Sequence, residues 1–161
     1  MAEENATQVQ PEFRMLKMYV KDLSFENPQS PQVFSQPPKG ESKIELNIDL
    51  RNRKIDEHHY EVSLHIITKL VVAGEEATPL FVVEVEHAAL FLMKNIPAEH
   101  FEAILAVECP MLLFPFTRQI ICQTVLDGGF QPFLMEPVNF MALYQNQKMR
   151  KQAAPATPAV N

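Results

Sequence analysis

Glycine, cysteine and basic charge are all scarce in this chain, and each shortage excludes a class of function. Four glycines among 161 residues form no glycine-rich loop of the kind that cradles phosphates, and no nucleophile elbow is present. The net charge of −6 argues against nucleic-acid binding, which calls for a basic stripe, but it permits a basic protein partner. These patterns predict no catalytic residue and no nucleic-acid partner.

The two cysteines, Cys109 and Cys122, belong to no CxxC motif, and no pair of histidines stands at ligand spacing. We therefore predict no metal site. The first residues, MAEENATQVQPEF, are polar and acidic, unlike a signal peptide. No run of 18 apolar residues occurs, so no insertion into a membrane is expected. The expectation is a cytoplasmic protein with reduced thiols and no cofactor.

Alternation of apolar and polar side chains predicts four strands in the first part of the chain. Residues 14–25 place Leu16, Met18 and Val20 on one strand face. The other strands are predicted at residues 43–51, 59–72 and 80–92. No helical pattern separates consecutive strands, so the sheet is predicted to be antiparallel. The proline-rich segment before the second strand, residues 26–42, is predicted to contain neither helix nor central strand.

Helical patterns follow at residues 97–107 and 139–151, the second with Asn139 as its N-cap. Between them, a central helix is predicted to start near Phe114, after a short apolar loop, with Pro115 in its first turn.

The central helix has apolar side chains on two sides. Phe114, Ile121 and Val125 fall on one face, and Phe116 and Ile120 fall nearly opposite. A helix that is apolar on two sides is buried on two sides. The sheet accounts for one side, and we expect a second copy of the chain to cover the other.

The acids Glu84 and Glu86 share one strand face, and Asp22 and Glu26 end the first strand; pattern alone indicates a solvated surface. The histidines, at positions 58, 59, 65, 87 and 100, stand in no catalytic arrangement, and those in the strand patterns are predicted to be structural. Apolar side chains near the loops and the last helix fit core packing, and they also fit an adaptable binding surface.

Three stretches, taken in order, resemble the SecB family of protein-export chaperones: MYVKDLSFENPQSPQVF at 18–34, HYEVSLHIITKL at 59–70, and ECPMLLFPFTRQIICQTVLDGGFQPFLMEPVNFMALY at 108–144. The resemblance implies an α+β fold, a four-stranded antiparallel sheet with helices packed on one face. It also implies a homotetramer, a dimer of dimers, that is not an enzyme and uses no cofactor. Such a chaperone holds unfolded presecretory proteins in the cytoplasm and delivers them to the SecA ATPase.

By the same resemblance, the SecA-binding positions are Asp22, Glu26, Val82 and Glu84. Client segments are expected to bind between the proline-rich loop and the last helix, at Phe34, Leu112, Phe114, Phe140, Leu143 and Tyr144. This chain lacks the tryptophan that relatives carry in that loop, and Pro38 stands near its position. The basic residues Lys148, Arg150 and Lys151 stand where relatives are more acidic.

One domain is predicted over residues 1–161, with an ordered core at about 14–147 and flexible tails at 1–12 and 148–161. Two alternatives to the export chaperone are kept. The first is a small α+β acyl-thioester hydrolase, for which Asp127 is the one acid late in the central helix. The second is a SecB-like chaperone dedicated to a toxin–antitoxin system, against which the retained acids argue.

Overall fold

The computed structural model describes residues 9–73 and 78–153. The strands are β1 (Glu12–Glu26), β2 (Ser42–Lys54), β3 (His59–Val72) and β4 (Phe81–Lys94). The helices are α1 (Gln32–Ser35), α2 (Ala98–Ala103), α3 (Cys109–Asp127) and α4 (Phe140–Ala153), with a π-helical turn at Ile104–Glu108. This order confirms the predicted α+β class.

The four strands form one antiparallel sheet in the order β1-β4-β3-β2. The core lies between one face of this sheet and α3, to which β3 and β4 contribute fully buried side chains: Val62, Leu64, Ile66, Val83, Val85 and Phe91. We call this the helix-side face and the opposite one the outer face. Alternation of side chains along each strand separates apolar residues toward the helices from polar residues toward the outside.

β1 departs from simple alternation because it contains two irregularities. Its pairing with β4 skips Leu16 and then Lys21. Each extra residue shifts the following side chains to the other face. Phe13, Met15 and Met18 therefore pack against the core, whereas Leu16, predicted to share a face with Met18, is 40% exposed.

The central helix begins earlier than predicted. No loop precedes it, because helix is continuous from Ala98 to Asp127. Pro115 therefore lies inside α3, and Pro110 is the proline of its first turn. A proline cannot donate to the carbonyl four residues earlier, and the π-helical turn ends at Glu108, two residues before Pro110, where this donor is missing.

Other boundaries differ by short segments. The proline-rich segment contains one helical turn, α1, where neither helix nor central strand was predicted. Asn139 caps α4 as predicted, its Oδ1 accepting a hydrogen bond from the Ala142 amide at 2.9 Å. α4 continues to Ala153, past the predicted core limit at 147. The predicted tails lie partly outside the described residues.

The helix from Ala98 to Asp127 is long and apolar enough to meet a simple criterion for a membrane span. The core helix of a soluble protein passes the same criterion. Here Leu113, Ile121 and Val125 of this helix are buried within the core, so packing explains the apolar residues on that side of the helix.

Candidate functional site

The predicted SecA-binding positions meet on the outer face of the sheet. Pairing of β1 with β4 sets Glu26 opposite Val82, Ser24 opposite Glu84 and Asp22 opposite Glu86, although two strands separate β1 from β4 in sequence. Asp22 and Glu26 are exposed, and Val82 and Glu84 are partly exposed. We call this surface, formed by Asp22, Glu26, Val82, Glu84 and Glu86, the acidic corner.

Glu84 makes a specific contact within the acidic corner. Its Oε1 lies 2.7 Å from Nε2 of His65 on the neighbouring strand β3. The side chains of His65 and Glu84 are 22% and 40% exposed, so water and a binding partner can both reach the carboxylate. His65 was predicted to be structural, and its contact with Glu84 was not predicted.

The other end of the outer face is basic and is organised around Glu61. This carboxylate is 7% exposed and lies 3.0 Å from Lys21 Nζ and 3.1 Å from Arg53 Nη2. The Tyr19 hydroxyl donates a hydrogen bond to the same carboxylate. Arg51 adds a further cation, which pairs with Asp49. We call Lys21, Arg51 and Arg53 the basic end.

Ionisation at the basic end follows from these contacts. Burial opposes charge on Glu61, but the hydrogen bonds from Tyr19 and Lys21 and the charges of Lys21 and Arg53 outweigh it and lower the pKa of Glu61. Burial, together with the bond to Glu61, raises the pKa of Tyr19 to about 12. Glu61 is therefore an ionised carboxylate that accepts hydrogen bonds from Tyr19 and Lys21 and pairs with Arg53, so its charge is compensated within the sheet.

A groove lies between α4 and the edge strand β2. It has a volume of about 200 Å³ and is lined by Ile48, Leu50, Leu143 and Tyr144, among others. Three of the predicted client-binding residues, Phe140, Leu143 and Tyr144, therefore line one surface. We call it the α4 groove.

Phe140 and a further predicted residue, Phe114, lie largely beneath the surface. Phe140 is 2% exposed and Phe114 is 5% exposed, and their rings meet edge-to-face at a centroid distance of 5.8 Å. Neither side chain offers much area to a ligand in the single chain. Both are therefore core residues that support the α4 groove from below.

The remaining predicted client-binding residues lie apart from the α4 groove. Phe34 in α1 is 49% exposed and packs against Phe130 at 5.3 Å and against Gly129. Leu112 in α3 is 44% exposed. A Cβ at Gly129, which has a φ of +87°, would lie 3.0 Å from the Phe34 ring, so glycine at this position allows the close approach of α1.

A second apolar groove was not predicted. It has a volume of about 550 Å³, and its lining includes Phe13, Ile96, Ile104, Val107 and Met141. The start of β1, the π-helical turn and α4 each contribute to it. These elements are distant in sequence, and no local motif marks their meeting.

Three candidate reactive groups have structural surroundings that explain them. Asp127 is exposed and accepts a hydrogen bond from Gln123 at 2.8 Å, as expected at a helix end. Burial, with the nearby Glu108, raises the pKa of the Cys109 thiol to about 12, which disfavours the nucleophilic thiolate. His87 is buried and bonds Thr117 at 2.8 Å. Within residues 9–73 and 78–153, no cluster of three or more His, Cys, Asp or Glu side chains is arranged to hold a metal.

A charged outer face and apolar grooves on the helix side define a class of protein that works by binding other proteins. Comparison with known sequences gives the family: the profile described as "Preprotein translocase subunit SecB" matches residues 6–151. The protein-export protein SecB of Desulfotalea psychrophila is 58% identical over 153 residues, covering 94% of this chain and 97% of the relative. That of Magnetococcus marinus is 43% identical over 143 residues, covering 89% and 88%.

The chain belongs to the SecB family, which has a chaperone role in protein export. This is a family of chaperones rather than of enzymes. The fold agrees with a solved structure, the SecB-like chaperone of Mycobacterium tuberculosis in complex with a peptide from the HigA1 antitoxin. That chain is 13% identical, with a TM-score of 0.63 and coverage of 79% of this chain and 91% of that one. At this identity the likeness supports the fold alone.

Proposed function

We propose that this chain is a cytoplasmic holdase that binds unfolded precursor proteins, keeps them competent for export and delivers them to SecA. The observation that supports this most is that the two proposed binding sites lie on opposite faces of the sheet. The four SecA-binding positions expected from the family meet at one corner of the outer face. The α4 groove lies on the helix side, so one chain can hold a client while its outer face contacts a partner.

Client binding rests on exposed apolar surface. Leu143 in the α4 groove is 44% exposed, as is Leu112 on α3. Contacts of this kind are not directional, so they suit many unfolded segments and select weakly among sequences. A client that is bound only while unfolded is withdrawn from folding and aggregation by mass action.

Delivery to SecA rests on charge. Asp22, Glu26 and Glu84 form an acidic surface to which a basic segment is complementary. Complementary charge accelerates association and fixes orientation more than it adds affinity. Because these side chains are at least partly exposed, added salt is expected to weaken the contact.

The working form is proposed to be a homotetramer, a dimer of dimers. The side of α3 that faces away from the sheet remains apolar, with Phe116 44% exposed and Leu126 42% exposed. On β1, Val20 and Leu23 are 46% and 44% exposed on the helix side of an edge strand. Four copies would bring several grooves to one long client and raise its effective concentration at each groove.

Light scattering with and without a permanently unfolded client tests this function. The free protein is expected to show four times the 18.4 kDa chain mass and to gain the mass of a bound client. Leu143→Ser is expected to weaken client binding, whereas Ile55→Ser, at a 49% exposed apolar residue in the β2–β3 turn, serves as the matched control. A tetramer that does not bind the unfolded client would contradict the holdase proposal.

A further inference from the structure

The contact between His65 and Glu84 joins two neighbouring strands on the outer face. His65 is paired directly with Glu86, so its bond to Glu84 is diagonal across the strand pair, within the reach of long side chains. An ionised carboxylate can only accept hydrogen bonds, so the imidazole Nε2 carries the hydrogen and donates it to Glu84 Oε1 over 2.7 Å. This bond restricts the Glu84 side chain and leaves its second oxygen free to accept from a ligand.

The charged groups around His65 are mostly acidic. The groups paired directly with His65 are both acids, Glu86 on β4 and Asp49 on β2. The other charged groups on the outer face of β2, β3 and β4 include Glu84, Glu45, Arg51, Arg53, Glu61 and Lys69, and Asp22 and Lys21 lie on β1, beyond β4.

Among these acids, Glu84 differs in its partner. Arg51 bonds Asp49 at 2.8 Å, and Lys21 lies 3.8 Å from Glu86. Those two partners are permanent cations near neutral pH. Among the described residues, His65 is the hydrogen-bonding partner of Glu84, and histidine is the side chain that changes charge between about pH 5 and 8.

We propose that His65 is a positioning residue for Glu84 and that its protonation weakens the contact with a basic partner. The inference rests on the proposed function, in which Glu84 contacts a basic segment of SecA. With a neutral ring, Glu84 is held in place and keeps its full negative charge. With a protonated ring, a positive charge 2.7 Å away compensates that carboxylate, so the acidic corner attracts a cation less strongly.

SecA binding measured at pH 8 and pH 6 tests both parts of the inference. His65→Gln retains a side-chain N–H donor without a titratable charge, and His65→Val removes the donor. His59→Gln is the matched control, since His59 also lies on β3 and bonds an acid, Asp56, at 2.8 Å, outside the acidic corner. Client binding at both pH values reports whether each variant is folded.

At pH 8, His65→Gln is expected to bind SecA as the parent does, and His65→Val to bind more weakly. Between pH 8 and pH 6, the parent and His59→Gln are expected to lose about threefold more affinity than His65→Gln, the scale of one exposed charge pair.

Two results would overturn the inference while the proposed function stands. One is an identical pH profile for the parent and His65→Gln. The other is parental affinity of His65→Val at pH 8. A parent protein that does not bind SecA even at pH 8 would overturn the proposed function itself.

Discussion

The two faces of the sheet obey different physical rules. On the helix side, Val62, Leu64, Val83 and Val85 are completely buried, and the helices complete a close-packed core. On the outer face, the same strands present an acidic corner and a basic end, which meet where Lys21 lies 3.8 Å from Glu86. Close packing tolerates few changes, whereas a surface charge away from special contacts usually changes stability by less than about half a kcal/mol.

This difference indicates which face can select a particular protein partner. Substitution of a core residue such as Phe140 alters the core and the apolar surface together, because Phe140 supports the groove that Leu143 lines. Substitutions on the outer face change the electrostatic pattern and leave the core intact. A chaperone built this way can bind clients loosely on one side and choose its partner by charge on the other.

The largest effect is expected where the helix side is proposed to meet another subunit. Ile120 is partly buried and packs against the core, and Ile120→Glu would place a charge in that apolar contact. Burial of an unpaired charge costs several kcal/mol, on the order of 5. We expect loss of the tetramer by light scattering and a large fall in melting temperature.

Gln119→Glu is the matched control for this change. It adds the same charge at the neighbouring exposed position of α3 and is expected to leave mass and melting temperature nearly unchanged. If Ile120→Glu behaves like Gln119→Glu, the two-sided reading of the central helix is wrong.

The next largest effect is expected in the α4 groove, where Phe140 supports the groove from the core and Leu143 is proposed to contact the client. Phe140 is 2% exposed, so Phe140→Ala should leave a cavity and destabilise the fold by about 3–4 kcal/mol. Leu143→Ala, at a side chain 44% exposed, should keep stability and lose client affinity. Chemical denaturation and client titration of both variants check this, and a stable Phe140→Ala protein would refute the core assignment.

A smaller effect is expected at the buried contact between sheet and helix. Burial lowers the pKa of His87 from its ordinary value of 6.5. Its contribution to stability is therefore complete above pH 6.5 and falls as the pH drops below 6.5, because the unfolded chain takes up the proton first.

Melting temperatures measured from pH 7.5 to pH 4.5 check this effect. His87→Gln should show a shallower decline than the parent. His100→Gln, at a residue whose side chain is 66% exposed, should follow the parent. Parallel curves for His87→Gln and the parent would show that His87 does not contribute to acid sensitivity.

The strand pattern could be predicted where the apolar residues of a strand share the face toward the helices. Ile44, Ile48 and Leu50 alternate with polar residues on β2, and this period fixes both the element and its orientation. The facing of side chains on β1 could not be predicted from alternation alone. The unpaired residues Leu16 and Lys21 each shift the side chains that follow to the other face of the sheet. A bulge is set by pairing with the partner strand, which local sequence does not report.

The start of α3 and the contacts of the candidate site also depend on residues that are distant in sequence. Pro115 was predicted in a first turn, but the core contacts of α3 hold helix on both sides of it. The acidic corner could be anticipated through the family resemblance, which supplied all of its positions except Glu86. The bond from His65 to Glu84 joins two strands in a diagonal register, and the second apolar groove joins three elements, so neither has a local signature.

The central claim is that client and SecA bind different faces, and titrating both against Asp22→Lys/Glu84→Lys tests it most directly. Glu57→Lys/Glu99→Lys makes the same change in net charge at acids whose side chains are 86% and 78% exposed, away from the acidic corner. The account predicts strong loss of SecA binding, with little remaining salt dependence, in the first variant only, and parental client binding in both. Equal loss of both ligands, or loss of neither, would contradict it.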